Sequence, residues 1–275
     1  MKGVGYFLHY HQEYIDFHEQ FECCGGISDA YEVLSLHFKT ELQSLVDYVS
    51  HLGKPICLHT SVMDLGRKSN KQKPGLQLLQ EQERAINPLS ITEHHAILNA
   101  ASGDAFGIFF PPPELDEQKD VIVNNVLSLR DCLSSKLLLE NPIYSYELVG
   151  TQTKKRVEFF NQTLHESNSR MHLSLSNISY SSEYGARIDP DEYLENIDFS
   201  LVDQIHIYVN NQEEAKQLPK AYRESEQWLK SRLEQVLKYN DLQPLIFFEL
   251  EARTAKLAEP EYLRDSMNWA RSLIN

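Results

Sequence analysis

Thiols, positive charge and long apolar runs are all scarce in this 275-residue chain, and each scarcity removes a class of function. The four cysteines, Cys23, Cys24, Cys57 and Cys132, form no C-x-x-C pair and no zinc-knuckle or disulfide spacing. They read as ordinary reduced thiols in a reducing compartment. With 26 Lys and Arg against 40 Asp and Glu, a formal charge of −14, the surface repels phosphate backbones and anionic lipid on average. Nucleic acid and membrane surfaces are therefore not expected as partners. No apolar run approaches the ~20 residues that span a bilayer. The opening MKGVGYFLHYHQEYIDFHEQ mixes polar residues into its apolar start, unlike a secretory signal, so a cytoplasmic location is expected.

What is present is alternation. Short apolar or β-branched runs at Gly3 to Leu8, Ala30 to Leu36, Pro55 to His59, Leu89 to His94, Lys136 to Asn141, Met171 to Asn177, Gln204 to Val209 and Leu245 to Leu250 read as strands. Between them, helical spacing is clearest at Glu41 to Leu52, Gly75 to Ile86, Glu117 to Leu133, Lys154 to Glu166, Arg223 to Tyr239 and Glu261 to Ile274, with Pro260 suited to a first helical turn. Strands separated by helices pair in parallel. Eight such units in a chain close to the ~250 residues typical of the fold predict an α/β, (β/α)8 TIM barrel, residues 1–275 forming a single domain. An open eight-stranded sheet is the alternative; a barrel removes both edges and suits strands that look apolar throughout. Two stretches break the pattern. Asp104 to Glu114, with its three prolines, predicts a rigid loop or small hairpin, and Asn210 to about Tyr222 a long loop after the seventh strand.

Catalytic groups of such barrels converge at the C-terminal ends of the strands. Here those ends carry His59, the pair Glu93 and His94, Glu140, Asn177, His206 and Glu249. Imidazoles, carboxylates and a carboxamide meeting at one mouth suit a borderline or hard divalent metal, and a bridging carboxylate such as Glu140 could hold two ions ~3.5–4 Å apart. The absence of a thiolate weighs against a structural zinc site. His9 and His11 read as the start of an exposed acidic helix, and His172, early in its strand, as structural and far from the mouth. His37 and His95 stay open, and Asp64 is either an acceptor supporting a ligand or a turn cap.

The ordered set LHTSVMDLG, ITEHH, LLLENP, LSLSN, QIHIYV and FFELE, with the opening GVGY and the segment AYEVLSLHF, resembles the multinuclear non-haem iron-dependent oxidative enzymes over most of the chain. The resemblance implies a barrel related to xylose isomerase and endonuclease IV. It also implies two or three irons that activate dioxygen to modify cysteine or other residues of a ribosomally made peptide, and a partner protein that presents the peptide. On that basis His59, His94 and Glu140 look like ligands of one iron, and Glu140, Asn177, His206 and Glu249 like the surroundings of a second, Glu140 bridging.

Two departures limit the analogy. Ser174 stands where the family carries Asp, and no Asp-x-His triplet follows QIHIYV, so a third iron is not expected and one or two ions are; Asn210 is a neutral, weaker substitute ligand. The same donors suit Mn or Zn. Besides an oxidoreductase acting on a peptide, the residues leave open a divalent-metal sugar isomerase or phosphoesterase, and a degenerate barrel that serves only as a binding partner.

Overall fold

The computed structural model describes residues 2–39, 41–68, 73–99, 105–144, 152–184, 188–209, 220–239, 242–250 and 259–274. Eight parallel strands form a closed barrel in the order β1 (Gly3–Leu8), β10 (Leu245–Leu250), β9 (Val202–Val209), β8 (Arg170–Ser174), β7 (Lys136–Glu140), β4 (Ser90–His94), β3 (Ile56–Thr60) and β2 (Tyr31–Leu34). The ring closes because β1 pairs on both sides, with β10 through Gly3 and Leu245 and with β2 through Tyr6 and Tyr31. The open sheet is thereby excluded.

Helices α1 (Gln12–Cys23), α2 (Leu42–Leu52), α3 (Lys73–Ile86), α4 (Asp116–Arg130), α5 (Thr153–Ser167), α6 (Leu175–Tyr184), α7 (Pro190–Asn196), α8 (Lys220–Leu237) and α9 (Pro260–Ile274) lie between and after the strands. Local chemistry fixes several ends. Gly53, at φ 59°, takes the left-handed conformation that ends α2. Asp189 accepts hydrogen bonds from Asp191 N and Glu192 N, at 2.9 and 3.1 Å, and so caps α7, which begins at Pro190. No helix among the described residues is long and apolar enough to cross a membrane.

The strands are not apolar on both faces. One face, with Val4, Tyr6, Leu58, Ile91, Leu137, Leu139, Met171, Ile205 and Ile246, packs into the main hydrophobic core. The opposite face turns into the barrel, where only Ala30, Cys57, Leu245 and Phe247 make a small apolar cluster and most other described positions are polar. The period-2 alternation therefore divides labour: the outward residues bury apolar area and the inward ones build a polar interior.

Two expectations need correction, and one open choice is settled. The run Met171 to Asn177 is not one strand: β8 stops at Ser174, whose Oγ accepts the Asn177 N–H at 3.1 Å and so caps the first turn of α6. A hydroxyl placed at that point satisfies a donor the helix leaves free, and the alternating LSLSNI turns helical. The second strand ends at Leu34 rather than Leu36, because Ser35–Phe38 form a 3₁₀ turn. The proline-rich stretch supplies one strand of a hairpin: β6 (Ala105–Phe110) pairs antiparallel with β5 (Ile97–Asn99), which precedes the stretch, and the three prolines follow β6. Asp104, Asn210 with the rest of residues 210–219, and the side chain of His37 lie outside the described residues.

Inside the barrel, Gly5 is where β1 and β2 approach most tightly. A Cβ there would meet Ala30 O at 2.1 Å and Phe247 Cε1 at 2.8 Å. Gly5→Val is expected to cost about 1–3 kcal/mol or more through overpacking, read as a lower urea midpoint at unchanged m-value; an unchanged midpoint would contradict this close approach.

Candidate metal centre

The inward positions at the C-terminal half of the strands place three carboxylates and four imidazoles in one polar interior. Two groups form there, each with donor atoms close enough to share an ion: His59, His94 and Glu140 at the mouth, and Glu32, His59, His172 and His206 beneath them. His59 belongs to both. Its Nδ1–H donates to Glu32 Oε1 at 3.1 Å, while its Nε2 lies 3.2 Å from His94 Nε2 and 3.5 Å from Glu140 Oε2.

Following the protons exposes the character of the mouth. His94 Nδ1 lies 2.7 Å from Glu140 Oε2, a buried oxygen that receives no well-directed hydrogen bond. His59 gives its Nδ1–H to Glu32, so its Nε2 brings a lone pair toward His94 Nε2, a contact that needs a proton on one of the two nitrogens or a cation between them. Two donors of a tetrahedral ion with bonds of ~2.1 Å stand about 3.4 Å apart, and the 3.2 and 3.5 Å separations match that spacing. Two imidazoles and one carboxylate with open positions are also the set used by non-haem Fe(II). Glu140 Oε1 in turn accepts from Asn177 Nδ2 at 3.2 Å, and the His94 ring stacks on Phe109 of the hairpin at 4.0 Å.

Electrostatics follow the burial. Desolvation raises Glu32 and Glu140, but His206, His172 and His59 around the first and His94 and His59 around the second outweigh it and hold both carboxyls below the ordinary range. Burial opposes charge on His59 and His206, yet Glu32 pulls both pKa values up. His172 goes the other way, down to about 3, through burial and the neighbouring His206. His94 is also lowered by burial.

The expected residues divide accordingly. His59, His94 and Glu140 meet as the sequence suggests, and Asn177 touches Glu140, although from the first turn of α6 and with its amide also donating to Asn141 O at 2.8 Å. His206 meets Glu32 rather than the mouth group. Glu249 is partly buried, feels His206 and Glu140, and stands outside both groups; burial raises its pKa. Glu93 turns away: it accepts from Met63 N at 3.0 Å and His94 N at 2.9 Å, tying the loop after β3, and burial raises its pKa well above the usual value. Asp64 accepts from Leu98 N at 2.9 Å and so anchors the hairpin.

His172 is not far from the mouth. It lies opposite Glu140 in the register of β7 and β8, and its ring sits 4.1 Å from that of His206. Glu32 was missed altogether. The available signal was an acid inside the apolar AYEVL, buried with no exposure at all.

The fold is a closed eight-stranded β/α barrel, and its interior carries groups of side chains that could hold a metal ion. Among solved structures it is similar to the E. coli 3-keto-D-glucoside 4-epimerase YcjR in apo form, at TM-score 0.59 and 12% identity over 99% of this chain and 100% of that one. Endonuclease IV from Thermus thermophilus follows at 0.56 and 12% over 98% and 99%. Such identities speak for the fold alone. Residues 2–218 match the family described as RiPP precursor modification enzyme MbnB/TglH/ChrH, and the chain belongs to that family. Curated relatives include a UPF0276 protein of Vibrio vulnificus (strain YJ016), 28% identical over 152 residues, 55% of this chain and 51% of the relative. Another, from Pasteurella multocida (strain Pm70), is 26% identical over 159 residues, 58% and 51%. The chain spans about half the length of these relatives.

One histidine stands apart. His95 is 1% exposed, packed near Phe159 and Phe160, and neither ring nitrogen has a hydrogen-bond partner. Burial lowers its pKa to about 3. A base whose folded pKa is depressed gives full stability above its unfolded pKa of about 6.5 and loses it as pH falls toward the folded value. His95→Phe is therefore expected to raise stability by about 1–3 kcal/mol by removing unpaired polar atoms and to flatten the loss of Tm between neutral and acid pH. An equally steep acid loss in the variant would assign that sensitivity to other groups.

Proposed function

We propose that this barrel catalyses an iron-dependent oxidative modification of a ribosomally made peptide, at a cysteine, with dioxygen as oxidant and a partner protein presenting the peptide. The observation that carries the reading is the pair of facing imidazole nitrogens of His59 and His94 beside Glu140, in a chain that belongs to a family of peptide-modifying enzymes. Two histidines and a carboxylate are a donor set for non-haem iron, with coordination positions left for other ligands. Iron held there would supply the dioxygen chemistry.

The chain's own residues prepare the site. Glu32 accepts from His59 Nδ1, which directs Nε2 to the mouth, and Asn177 steadies Glu140 from α6. Phe109, stacked on His94, gives the mouth an apolar wall that limits water beside the ligand. The antiparallel hairpin carrying Phe109 lies between β4 and α4 in the chain.

A second reading, a barrel that binds peptide without turnover, rests on Ser174. Its hydroxyl accepts from Asn177 N, and no carboxylate occupies that position. Oxygen consumption separates the two. Protein loaded anaerobically with Fe(II) is expected to retain iron and to take up dioxygen when given a cysteine-containing precursor peptide encoded beside it. His94→Ala and Glu140→Ala should lose both iron and uptake, to background. Iron that binds without any peptide-dependent uptake would favour the binding reading, and uptake equal in all three proteins would overturn the assignment of the mouth. Activity with Mn(II) under anaerobic conditions would point instead to Lewis-acid chemistry.

A further inference from the structure

We propose that Glu32, His59, His172 and His206 form a second, fully buried site for a divalent transition-metal ion, joined to the mouth through the two nitrogens of the His59 imidazole. The proposal rests on the reading of the mouth as a metal centre. It places the second ion beneath the first rather than beside it across Glu140, and it draws on Glu32 and His172, which the motif resemblance does not single out.

Three observations carry it. The four side chains are 0 to 5% exposed, and their donor atoms come within reach of one ion. Four protein donors are the number that completes a closed site, whereas the three at the mouth leave it open. Next, the surrounding residues hold His172 in one tautomer. Gln204 Nε2 donates to Ser90 Oγ at 2.6 Å and to Cys57 Sγ at 3.1 Å, so its Oε1 faces His172 Nδ1 at 3.0 Å and can only accept. His172 Nδ1 therefore carries the proton, and Nε2 keeps its lone pair. This is how a carbonyl oxygen orients a metal-binding histidine. Finally, that Nε2 has no hydrogen-bond partner, and neither does Nδ1 of His206, although both residues are sealed inside the barrel. Buried polar atoms are nearly always paired, and two orphaned imidazole nitrogens in one sealed interior leave lone pairs free for a cation.

Three imidazoles and a carboxylate suit Fe(II), Co(II) or Zn(II) better than Mg(II) or Ca(II). His59 makes the two sites interdependent, because Nδ1 faces Glu32 and Nε2 faces His94 and Glu140, and holding both ions requires His59 to release to solvent the Nδ1 proton it otherwise gives Glu32 and to bridge as an imidazolate. His172 and His94 each belong to one group only, which makes them the discriminating positions.

The test is an anaerobic titration of the metal-free full chain with Co(II), followed by visible absorption and elemental analysis, with peptide-dependent oxygen uptake measured on iron-loaded portions of the same preparations. Wild type should bind two equivalents, one giving the intense bands of a four-coordinate, water-free ion. His172→Ala should bind one and lose those bands, and His94→Ala should bind one and keep them. One equivalent in wild type, or two in His172→Ala, overturns the buried site. In that event, oxygen uptake by the wild type shows that the mouth reading stands on its own. If far-ultraviolet circular dichroism shows His172→Ala unfolded, His94→Ala decides: one equivalent with four-coordinate bands supports the site, and none overturns it.

Discussion

A carboxylate sealed inside a barrel is stable only against partners that offer positive charge or hydrogen bonds, and Glu32 is the point on which this interior turns. It has no exposed surface and meets His59, His172 and His206. Its two oxygens orient His59 and His206, His59 in turn faces His94 and Glu140, and Glu140 holds Asn177 on α6. The expense of desolvating so many ionisable groups is offset in part because Glu32 and Glu140 each lie among imidazoles. The apolar core outside the strands supplies the stability that lets the inside stay polar.

Much of this was legible in the sequence because β/α alternation is a long-range pattern repeated eight times, and errors in single boundaries do not disturb it. His59, His94 and Glu140 come together as the sequence suggests because each lies at or next to the end of a strand, and parallel strands of a barrel bring their ends to one rim. What failed was height. Strands of a barrel are tilted and staggered, so the third residue of β8 lies opposite the last residue of β7, which brings His172 level with Glu140. Position counted along one strand cannot supply that register. Glu32 was hidden for a related reason: in Tyr31–Leu34 nothing local says which residue faces the axis. Asn177 was misplaced because a serine hydroxyl, small in any hydrophobicity pattern, converts strand into helix.

The departures from the family pattern acquire a physical setting in the same way. Ser174 sits at the rim but its backbone and hydroxyl are engaged: Ser174 N donates to Asn141 Oδ1 at 2.6 Å, Asn141 Nδ2 donates to Ser174 O at 3.1 Å, and the hydroxyl caps α6. The missing carboxylate is thus replaced by a clamp between β7 and β8, while negative charge and imidazole gather around Glu32, deeper in the barrel.

The layer under His172 has a consequence for traffic. Gln204 spans from Cys57 and Ser90 to His172 and Thr92, closing the barrel beneath the imidazoles, and the crevice at the opposite end, lined by Leu89, Lys136, Asp203 and Leu245 among others, reaches only the far side of that layer. At the other end of the described interior His94, stacked on Phe109, is the most exposed of the clustered imidazoles, at 16% of its side chain. An ion held at Glu32, sealed by side chains on every side, would exchange more slowly than one at the partly exposed His94, so the history of exposure, as well as affinity, would decide what the barrel contains.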